Sequence, residues 1–271
     1  MSGVDETRPS ARPKPLRRGE GPRVALFVTC LVDLVRPSIG FVALKLLREA
    51  GCDVEAPLPQ TCCGQPAWNS GASELAKPIA RNVIAAFEDY DAVVAPSGSC
   101  AGMIHVHYEE LFKDDPAWLP RAQKLAAKTY ELCDYLVRIR GVKTTHASLP
   151  ARCAYHDSCS ALRELKIHDA PRLLLRSVKD LSLHELQQKE VCCGFGGLFS
   201  VKYSEISNRM AEEKTATIAA TGAGTLAGSD LGCLLHLAGK LSRAGSNIKV
   251  RHIAEILAGD TQTPAIAEPP K

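Results

Sequence analysis

Two cysteine pairs, each followed by glycine, are the residues in this chain most able to do chemistry. Cys192 and Cys193 are adjacent and precede Gly194, and the same triplet stands at residues 62–64. Neighbouring Cα atoms lie about 3.8 Å apart, below the roughly 4.4 Å minimum of an unstrained disulfide, so a bridge within a pair is disfavoured. Glycine permits the sharp turn that would aim both thiols at one centre. The pairs therefore indicate a thiolate-bound metal or cluster.

The cysteines that flank each pair repeat as well. One precedes the pair by 32 positions in the first half and by 33 in the second, and another follows it by 37 and by 40 positions. The two sets are Cys30, Cys62, Cys63 and Cys100 in the first half, and Cys159, Cys192, Cys193 and Cys233 in the second. Eight of the eleven cysteines are thus accounted for by one repeated pattern. Internal duplication is the simplest explanation.

Each set contains the number of cysteines that fills a tetrahedral zinc site or anchors a four-iron cluster. Structural zinc is usually held by knuckles in which two to four residues separate the ligands, whereas these cysteines come from three separate segments. The dispersion favours a larger inorganic group. Glycine loops that open into helices near Ser73 and Ser200 are expected to aim backbone N–H groups at an anionic cluster.

Length, composition and charge fit a two-unit protein with reduced thiols. The chain has 271 residues, 45% of them hydrophobic, and a net charge of +3. Residues 1–23 carry that excess, so the body is near neutral and nucleic acid is not an expected partner. No apolar run reaches about 18 residues and no secretory leader is recognised, so we expect a cytoplasmic protein with no membrane span. The odd number of cysteines favours ligands over a disulfide framework.

Strands alternate with helices along the chain, and the order is the same in both halves. The predicted strands are 23–29, 52–56, 92–95, 153–155, 181–186, 226–229 and 249–251. Two long helices are predicted at 121–139 and 200–220. The alternation predicts an α/β fold of two pseudo-symmetric three-layer units with mostly parallel sheets, produced by internal duplication.

The repeat also suggests where the units begin and end. We expect a first unit over 23–146 and a second over 147–258, with disordered tails at 1–22 and 259–271. In parallel sheets, ligands collect at the carboxyl ends of the strands. The first and last cysteines of each set are predicted to lie at those ends.

The motifs around the cysteines resemble the Cys-Cys-Gly domain family of iron–sulfur proteins. The matching stretches are C-C-G-Q-P-A-x-N-S-G from Cys62, A-P-S-G-S-C ending at Cys100, Y-H-x-S-C ending at Cys159, C-C-G-F-G-G-x-F-S-V-K from Cys192 and H-I-A-E-I-L from His252. The resemblance spans 23–258 and is strongest to the lactate-utilization branch. The wider family includes the catalytic subunit of heterodisulfide reductase and the iron–sulfur subunit of glycolate oxidase.

The resemblance implies an iron–sulfur oxidoreductase subunit that takes part in oxidising L-lactate, a small 2-hydroxy acid, to pyruvate. It implies a three-protein lactate utilization complex, in which a ferredoxin-type iron–sulfur protein and a third subunit are the partners. It also implies that the eight repeated cysteines hold one or two clusters, of the 4Fe-4S type.

Two positions depart from the heterodisulfide reductase pattern, which closes each set with C-x-x-C. Ser97 and Asp230 stand where the earlier cysteine would be. A four-cysteine centre, a centre with an added oxygen ligand, and zinc in one half therefore all stay open. A cluster-dependent thiol–disulfide reductase subunit and a zinc-stapled, non-catalytic scaffold also remain alternative functions. No G-x-G-x-x-G opens a helix after the first strand, which argues against hydride chemistry by this chain alone.

Residues outside the two sets are weaker candidates. Their apolar surroundings indicate that Cys52, Cys133 and Cys153 are buried structural cysteines. His156 stands three residues before Cys159 and is equally a candidate for the site and for a core or capping role. The other residues considered for substrate contact are Asn69, His105, Lys202 and His236.

Overall fold

The computed structural model describes residues 21–268, which contain two four-stranded parallel sheets. The strands are β1 Arg23–Leu26, β2 Asp53–Glu55, β3 Ala92–Ala95, β4 Thr129–Glu131, β5 Ser148–His156, β6 Lys179–His184, β7 Thr225–Gly228 and β8 Lys249–His252. Their order is β2-β1-β3-β4 in the first sheet and β6-β5-β7-β8 in the second, with every pairing parallel. The predicted α/β fold with two pseudo-symmetric units is confirmed.

Helices connect the strands and cover the sheets. They are α1 Cys30–Val35, α2 Ser38–Glu49, α3 Gln65–Asn69, α4 Ser73–Phe87, α5 Gly98–Gly102, α6 Tyr108–Leu111, α7 Leu119–Ala126, α8 Leu132–Asp134, α9 Asp169–Arg176, α10 Leu198–Lys202, α11 Ser204–Ala220, α12 Leu231–Arg243 and α13 Ile253–Leu257. π-Helical turns occur at Met103–His107, Tyr135–Ile139 and Ser160–Glu164. No helix within residues 21–268 is long and apolar enough to cross a membrane.

The predicted helix over 121–139 is wrong, because strand β4 interrupts it. Helix α7 ends at Ala126, and β4 then pairs in parallel with β3. Thr129 is 2% exposed, and Thr and Tyr are residues that pack well in a sheet. The helical spacing came from two separate helices that happen to be in phase, and the contacts at the sheet edge override the local pattern between them.

The predicted helix over 200–220 is also two helices. The backbone leaves the helical region at Tyr203, with φ −127° and ψ 53°. The ring of Tyr203 packs on the ring of Phe199, with centroids 5.5 Å apart. The break separates the short helix that leaves the cysteine loop from the long helix α11.

Both faces are buried along the inner strands β1, β3 and β7, as expected for parallel strands. In β1, Val24 and Leu26 face a central core, while Ala25 and the adjoining Phe27 face an outer core. The central core includes side chains from both halves, among them those of α2 and α13. The two halves therefore share one apolar layer.

The halves also meet beside the cysteine loops. A Cβ atom on Gly98, in α5, would lie 2.6 Å from the Cβ of Ala161, in the π-helical turn of the second half. Such a distance is shorter than real side chains allow, so glycine is needed for this close approach. The contact places the helix that carries Cys100 against the turn that follows Cys159.

His252 joins the two halves at their centre. Its Nδ1 accepts a hydrogen bond from Ala254 N (3.2 Å), so its Nε2 carries the proton. That Nε2 donates to the carbonyls of Pro96 (3.1 Å) in the first half and Ser229 (3.0 Å) in the second. Because His252 is fully buried, the start of the H-I-A-E-I-L motif has a structural role.

The segment 259–268, expected to be part of a disordered tail, instead packs on the body. Ile266 is 5% exposed and its backbone N–H donates to Val250 O at 2.8 Å. Arg36 donates to Pro264 O at 2.6 Å and pairs with buried Glu255 at 2.8 Å. Local composition does not indicate this packing, because the partners of the segment include Arg36, which is distant in sequence. Residues 1–20 of the expected N-terminal tail lie outside the described residues.

Candidate metal centres

The first cysteine set gathers at the carboxyl edge of the first sheet. Cys30 begins α1 after β1, Cys62 and Cys63 lie in the loop after β2, and Cys100 lies in α5 after β3. The Sγ atoms of Cys30 and Cys62 are 3.9 Å apart, and those of Cys63 and Cys100 are 3.5 Å apart. These distances are well above the S–S bond length of about 2.05 Å, and every cysteine of the chain is free. Three loops thus bring four thiols together.

The second set has the same arrangement on the second sheet. Cys159 follows β5, Cys192 and Cys193 follow β6, and Cys233 lies in α12 after β7. The Sγ atoms of Cys193 and Cys233 lie within 4.8 Å of each other, and the thiol of Cys159 is close enough to Cys192 to shift the pKa of that thiol. The structure therefore assembles both predicted sets at the predicted ends of the strands.

The glycine after each pair turns a backbone N–H back towards sulfur. Gly64 and Gly194 both have φ +87°. Their N–H groups donate to Cys62 Sγ at 3.4 Å and Cys192 Sγ at 3.3 Å. At Gly194 a Cβ would also lie 2.6 Å from Ser207 O, so both the backbone angle and the space require glycine there. Both loops therefore direct a backbone N–H donor at a cysteine sulfur.

In both sets, neighbouring thiols shift each other's pKa. The hydrogen bond between Cys30 and Cys62 lowers the pKa of Cys62 and raises the pKa of Cys30. The closeness of the Cys159 and Cys192 thiols likewise lowers the pKa of Cys192 and raises the pKa of Cys159. Four crowded thiols repel one another once they are ionised, so a cation is needed to keep all of them as thiolates.

A buried histidine distinguishes the second set from the first. His156 is 1% exposed, and neither of its ring nitrogens has a hydrogen-bond partner among the described residues. One ring nitrogen and the Sγ atoms of Cys193 and Cys233 lie within 4.8 Å of one another. His156, equally a candidate for a core role in the sequence, is therefore a core residue that lies in the site.

A buried ion pair holds the segment between His156 and Cys159. Arg172 donates two hydrogen bonds of 2.8 Å to Asp157, whose side chain is 2% exposed. Arg172 also bonds to half-exposed Glu185 and lowers the pKa of that carboxyl group. No sequence pattern indicates this network, because Glu185 and Asp157 are 13 and 15 positions from Arg172 and belong to no motif.

The two positions that depart from the C-x-x-C pattern contact each other across the halves. Asp230 accepts hydrogen bonds from Ser97 Oγ (2.7 Å), Ser99 Oγ (2.6 Å) and Ser99 N (3.1 Å). Ser97 in turn accepts from Cys100 N at 3.3 Å. Ser97 and Asp230 are each 4% exposed. Their oxygens bind each other, which argues against either as a metal ligand, and they link the segments that precede Cys100 and Cys233.

The three unrepeated cysteines lie away from both sets. Cys52, Cys133 and Cys153 belong to the central core and are at most 5% exposed. The Sγ of Cys52 lies 3.9 Å from the hydroxyl of Tyr135. Their positions agree with the structural role inferred from their apolar surroundings.

The other candidates for substrate contact are not drawn into one site. His105 hydrogen bonds to a backbone carbonyl of α7 at 2.8 Å, and Asn69 and Lys202 are exposed. His236 is half-buried and lies 3.3 Å from Ser207 Oγ, on the helix that carries Cys233. These positions give no reason to assign any of the four to catalysis.

Comparison with known proteins places the chain in a family. The cysteine-rich CCG domain matches residues 24–105 and 153–238. Lactate utilization protein A of Halalkalibacterium halodurans is 48% identical over 241 residues, which cover 89% of this chain and 98% of that protein. Lactate utilization protein A 2 of Bacillus mycoides is 48% identical over 235 residues, covering 87% of this chain and 98% of that protein. With two copies of the domain and relatives this similar over most of its length, the chain belongs to the family of cysteine-rich CCG-domain proteins that includes the lactate utilization A proteins.

Proposed function

We propose that this protein is an iron–sulfur oxidoreductase subunit that takes part in the oxidation of L-lactate to pyruvate and passes electrons to a partner iron–sulfur protein. The observation that carries the proposal is the gathering of eight repeated cysteines into two four-thiol sets. Relatives named for lactate utilization, matched over 98% of their own length, support the substrate.

The two sets are the proposed ligands of one cluster each, most simply of the 4Fe-4S type. The donors suit such a group, because they are thiols spread over three loops, with a backbone N–H bonded to sulfur at Gly64 and Gly194. A bound iron–sulfur cluster supplies one-electron transfer. The chain itself supplies the thiolates, fixes their positions and donates hydrogen bonds that help to set the potential.

The electron count fits a protein with two centres. Oxidation of lactate to pyruvate breaks the C2–H and O–H bonds and releases two electrons and two protons. Two one-electron centres match that number. In each set the second cysteine of the pair, Cys63 or Cys193, is buried, whereas Cys30, Cys62 and Cys192 are partly exposed. We assign the exposed side of each set as the side that the partner approaches.

Zinc in the second half is the alternative that one observation favours. His156 beside Cys193 and Cys233 gives a donor set of the Cys/His kind found in structural zinc sites. A zinc-stapled half would hold the fold without taking part in electron transfer. Metal analysis separates this reading from the iron–sulfur proposal.

The cofactor is tested on anaerobically purified protein. We expect iron and acid-labile sulfide at about eight of each per chain and a brown colour, since each four-iron cluster contributes about four. Cys63→Ala and Cys193→Ala should each lower the iron content about twofold, and Cys52→Ala, at a buried cysteine outside the sets, should leave it unchanged. A colourless protein that carries zinc alone would refute the redox proposal.

The substrate is tested in a host strain that lacks the gene. The wild-type chain and Cys52→Ala should restore growth on L-lactate, while Cys63→Ala and Cys193→Ala should not. All four should grow on pyruvate, which bypasses the step. Normal growth of the cysteine variants on L-lactate, with loss of iron confirmed in the purified proteins, would contradict the role in lactate oxidation.

A further inference from the structure

One pair of matching positions carries rings of different chemistry in the two centres. Phe27 stands three residues before Cys30 and His156 three residues before Cys159, each just before the cysteine loop of its central strand. Phe27 is fully buried and His156 is 1% exposed. The same place in the fold therefore holds an apolar ring in one half and a ring with two polar nitrogens in the other.

The histidine nitrogens are buried without partners. Neither Nδ1 nor Nε2 makes a hydrogen bond to any described residue. Buried polar atoms in native proteins are nearly always paired, and an exception calls for an explanation such as an unseen ion. The ring is 1% exposed, and a metal bound inside the site is a partner that would satisfy one of its nitrogens.

The histidine lies where a metal atom would also meet two thiolates. A ring nitrogen of His156 and the Sγ atoms of Cys193 and Cys233 are within 4.8 Å of one another. Metal–nitrogen and metal–sulfur bonds of about 2.0 and 2.3 Å keep the ligand atoms of one tetrahedral metal about 3.5–4 Å apart. Small side-chain shifts would therefore let all three atoms bind the same metal centre.

The surrounding structure fixes the segment that carries the ring. The next residue, Asp157, is held by two hydrogen bonds from buried Arg172. Lys214 is fully buried and donates to Gln188 O (3.3 Å) and Lys189 O (3.0 Å), in the loop that leads to the second cysteine pair. Both sides of the His156 and Cys193 contact are thus held by buried cations, as expected of a preformed ligand site.

A fifth sulfur is not available in the second centre. Asp230 stands where the C-x-x-C pattern would supply it, and its carboxylate accepts hydrogen bonds from Ser97 and Ser99. The imidazole of His156 is a buried donor beside Cys233, and among the described residues its ring nitrogens have no hydrogen-bond partner.

We propose that His156 is a ligand of the second metal centre through a ring nitrogen, beside Cys193 and Cys233, so that the second centre has mixed nitrogen and sulfur ligands and the first has sulfur alone. This inference rests on the proposed function for the identity of the metal. Four protein ligands fill a 4Fe-4S cluster, so on such a cluster His156 takes the place of one of the four thiolates. A neutral imidazole carries one negative charge fewer than a thiolate, and histidine ligation raises the potential of iron–sulfur centres. The second centre should therefore be reduced at a higher potential than the first.

The test is pulsed electron paramagnetic resonance of the reduced protein, with and without ¹⁵N-histidine labelling. Cys63→Ala removes the cluster of the first centre, so the remaining signal comes from the second. We expect a nitrogen coupling that changes on labelling, is lost in His156→Phe and persists in His236→Phe, a control histidine in the same half. His156→Phe introduces the residue type that the first half has at the matching position, Phe27, so the fold should accept it. The labelled wild-type protein tests the nitrogen coupling without any substitution at His156. A midpoint potential that falls in His156→Phe supports the same conclusion.

The outcomes separate this inference from the proposed function. An iron-loaded second centre with no nitrogen coupling, or with coupling retained in His156→Phe, overturns the role of His156 and leaves the iron–sulfur proposal standing. If the second centre holds zinc, X-ray absorption should show one nitrogen at about 2.0–2.1 Å beside sulfurs at about 2.3 Å, which supports His156 and refutes iron in that half. A metal surrounded by sulfur ligands alone in the X-ray absorption spectrum, or a second centre without bound metal, overturns the role of His156.

Discussion

Replacing Arg172 should destabilise the protein far more than an ordinary loss of an ion pair. The Arg172 and Asp157 side chains are 3% and 2% exposed, and two hydrogen bonds of 2.8 Å join them. Arg172→Met leaves the carboxylate of Asp157 buried and unpaired. Breaking a buried pair in this way costs about 3–5 kcal/mol. Two charge-assisted hydrogen bonds at about 1.5–3 kcal/mol each give a similar figure.

The assay is thermal unfolding of the anaerobic protein together with its metal content. A change of 1 kcal/mol shifts the unfolding temperature by about 2–4 °C in a protein of this size, so Arg172→Met should lower it by about 6–20 °C. Because Asp157 lies between His156 and Cys159, the second centre should lose metal before the first. Arg209→Met removes an exposed pair with Glu213, 74% and 60% exposed, and should change stability by at most about 1 kcal/mol.

A double variant decides whether the unpaired charge is the cause. Adding Asp157→Asn to Arg172→Met removes the carboxylate charge, so it should restore at least half of the lost stability. The reasoning is refuted if Arg172→Met behaves like Arg209→Met, or if the double variant is no more stable than Arg172→Met alone.

Three further predictions concern glycine geometry and buried titrating groups. Gly194→Ala should destabilise the protein by at least about 1 kcal/mol more than Gly64→Ala in denaturant unfolding, because only Gly194 faces a backbone oxygen at 2.6 Å; equal losses would contradict the steric argument. Burial lowers the pKa of His252, so the folded protein binds a proton there less readily than the unfolded chain, and stability should fall as the pH drops below about 6.5. His252→Asn should flatten this pH dependence in thermal unfolding, and an unchanged slope would contradict the role of His252. Burial raises the pKa of Glu131 to about 8, so this carboxyl group is protonated in the folded protein at neutral pH, and stability is lost as the pH rises from about 4.5 through 8. Glu131→Gln should therefore unfold at a higher temperature than the wild type at pH 8.5. A lower unfolding temperature of the variant at that pH would contradict the prediction.

The repeated cysteines were the part of the site most open to prediction from sequence. Their spacing fixes which loops they occupy, and parallel strands bring the carboxyl ends of β1, β2 and β3 to one edge of the sheet. The strand pattern was equally informative, since runs such as Ala92–Ala95 are buried on both faces and are apolar throughout. Most strands were therefore placed to within a few residues.

What the sequence did not show depends on contacts between distant residues. Strand β4 is short, and two helices in phase conceal it, so only its pairing with β3 defines it. The link between Ser97 and Asp230 joins positions 133 apart, and neither residue is unusual locally. The unpaired nitrogens of His156 were likewise invisible, because a histidine before a cysteine has the same spacing whether it caps a helix or faces a metal.

Because Ser97 and Asp230 hydrogen bond to each other across the halves, the effect of a cysteine at either position depends on the residue at the other. Ser97→Cys alone would remove one of the hydroxyl groups that donate to the buried carboxylate of Asp230. Asp230→Cys alone would leave the hydroxyl groups of Ser97 and Ser99 without their acceptor. Each single change to cysteine is therefore expected to be harmful, and the joint change removes only the mismatch between positions 97 and 230, because Ser99 still loses its acceptor. Among natural relatives, a sequence that combines cysteine at one of these positions with the present residue at the other should accordingly be rare.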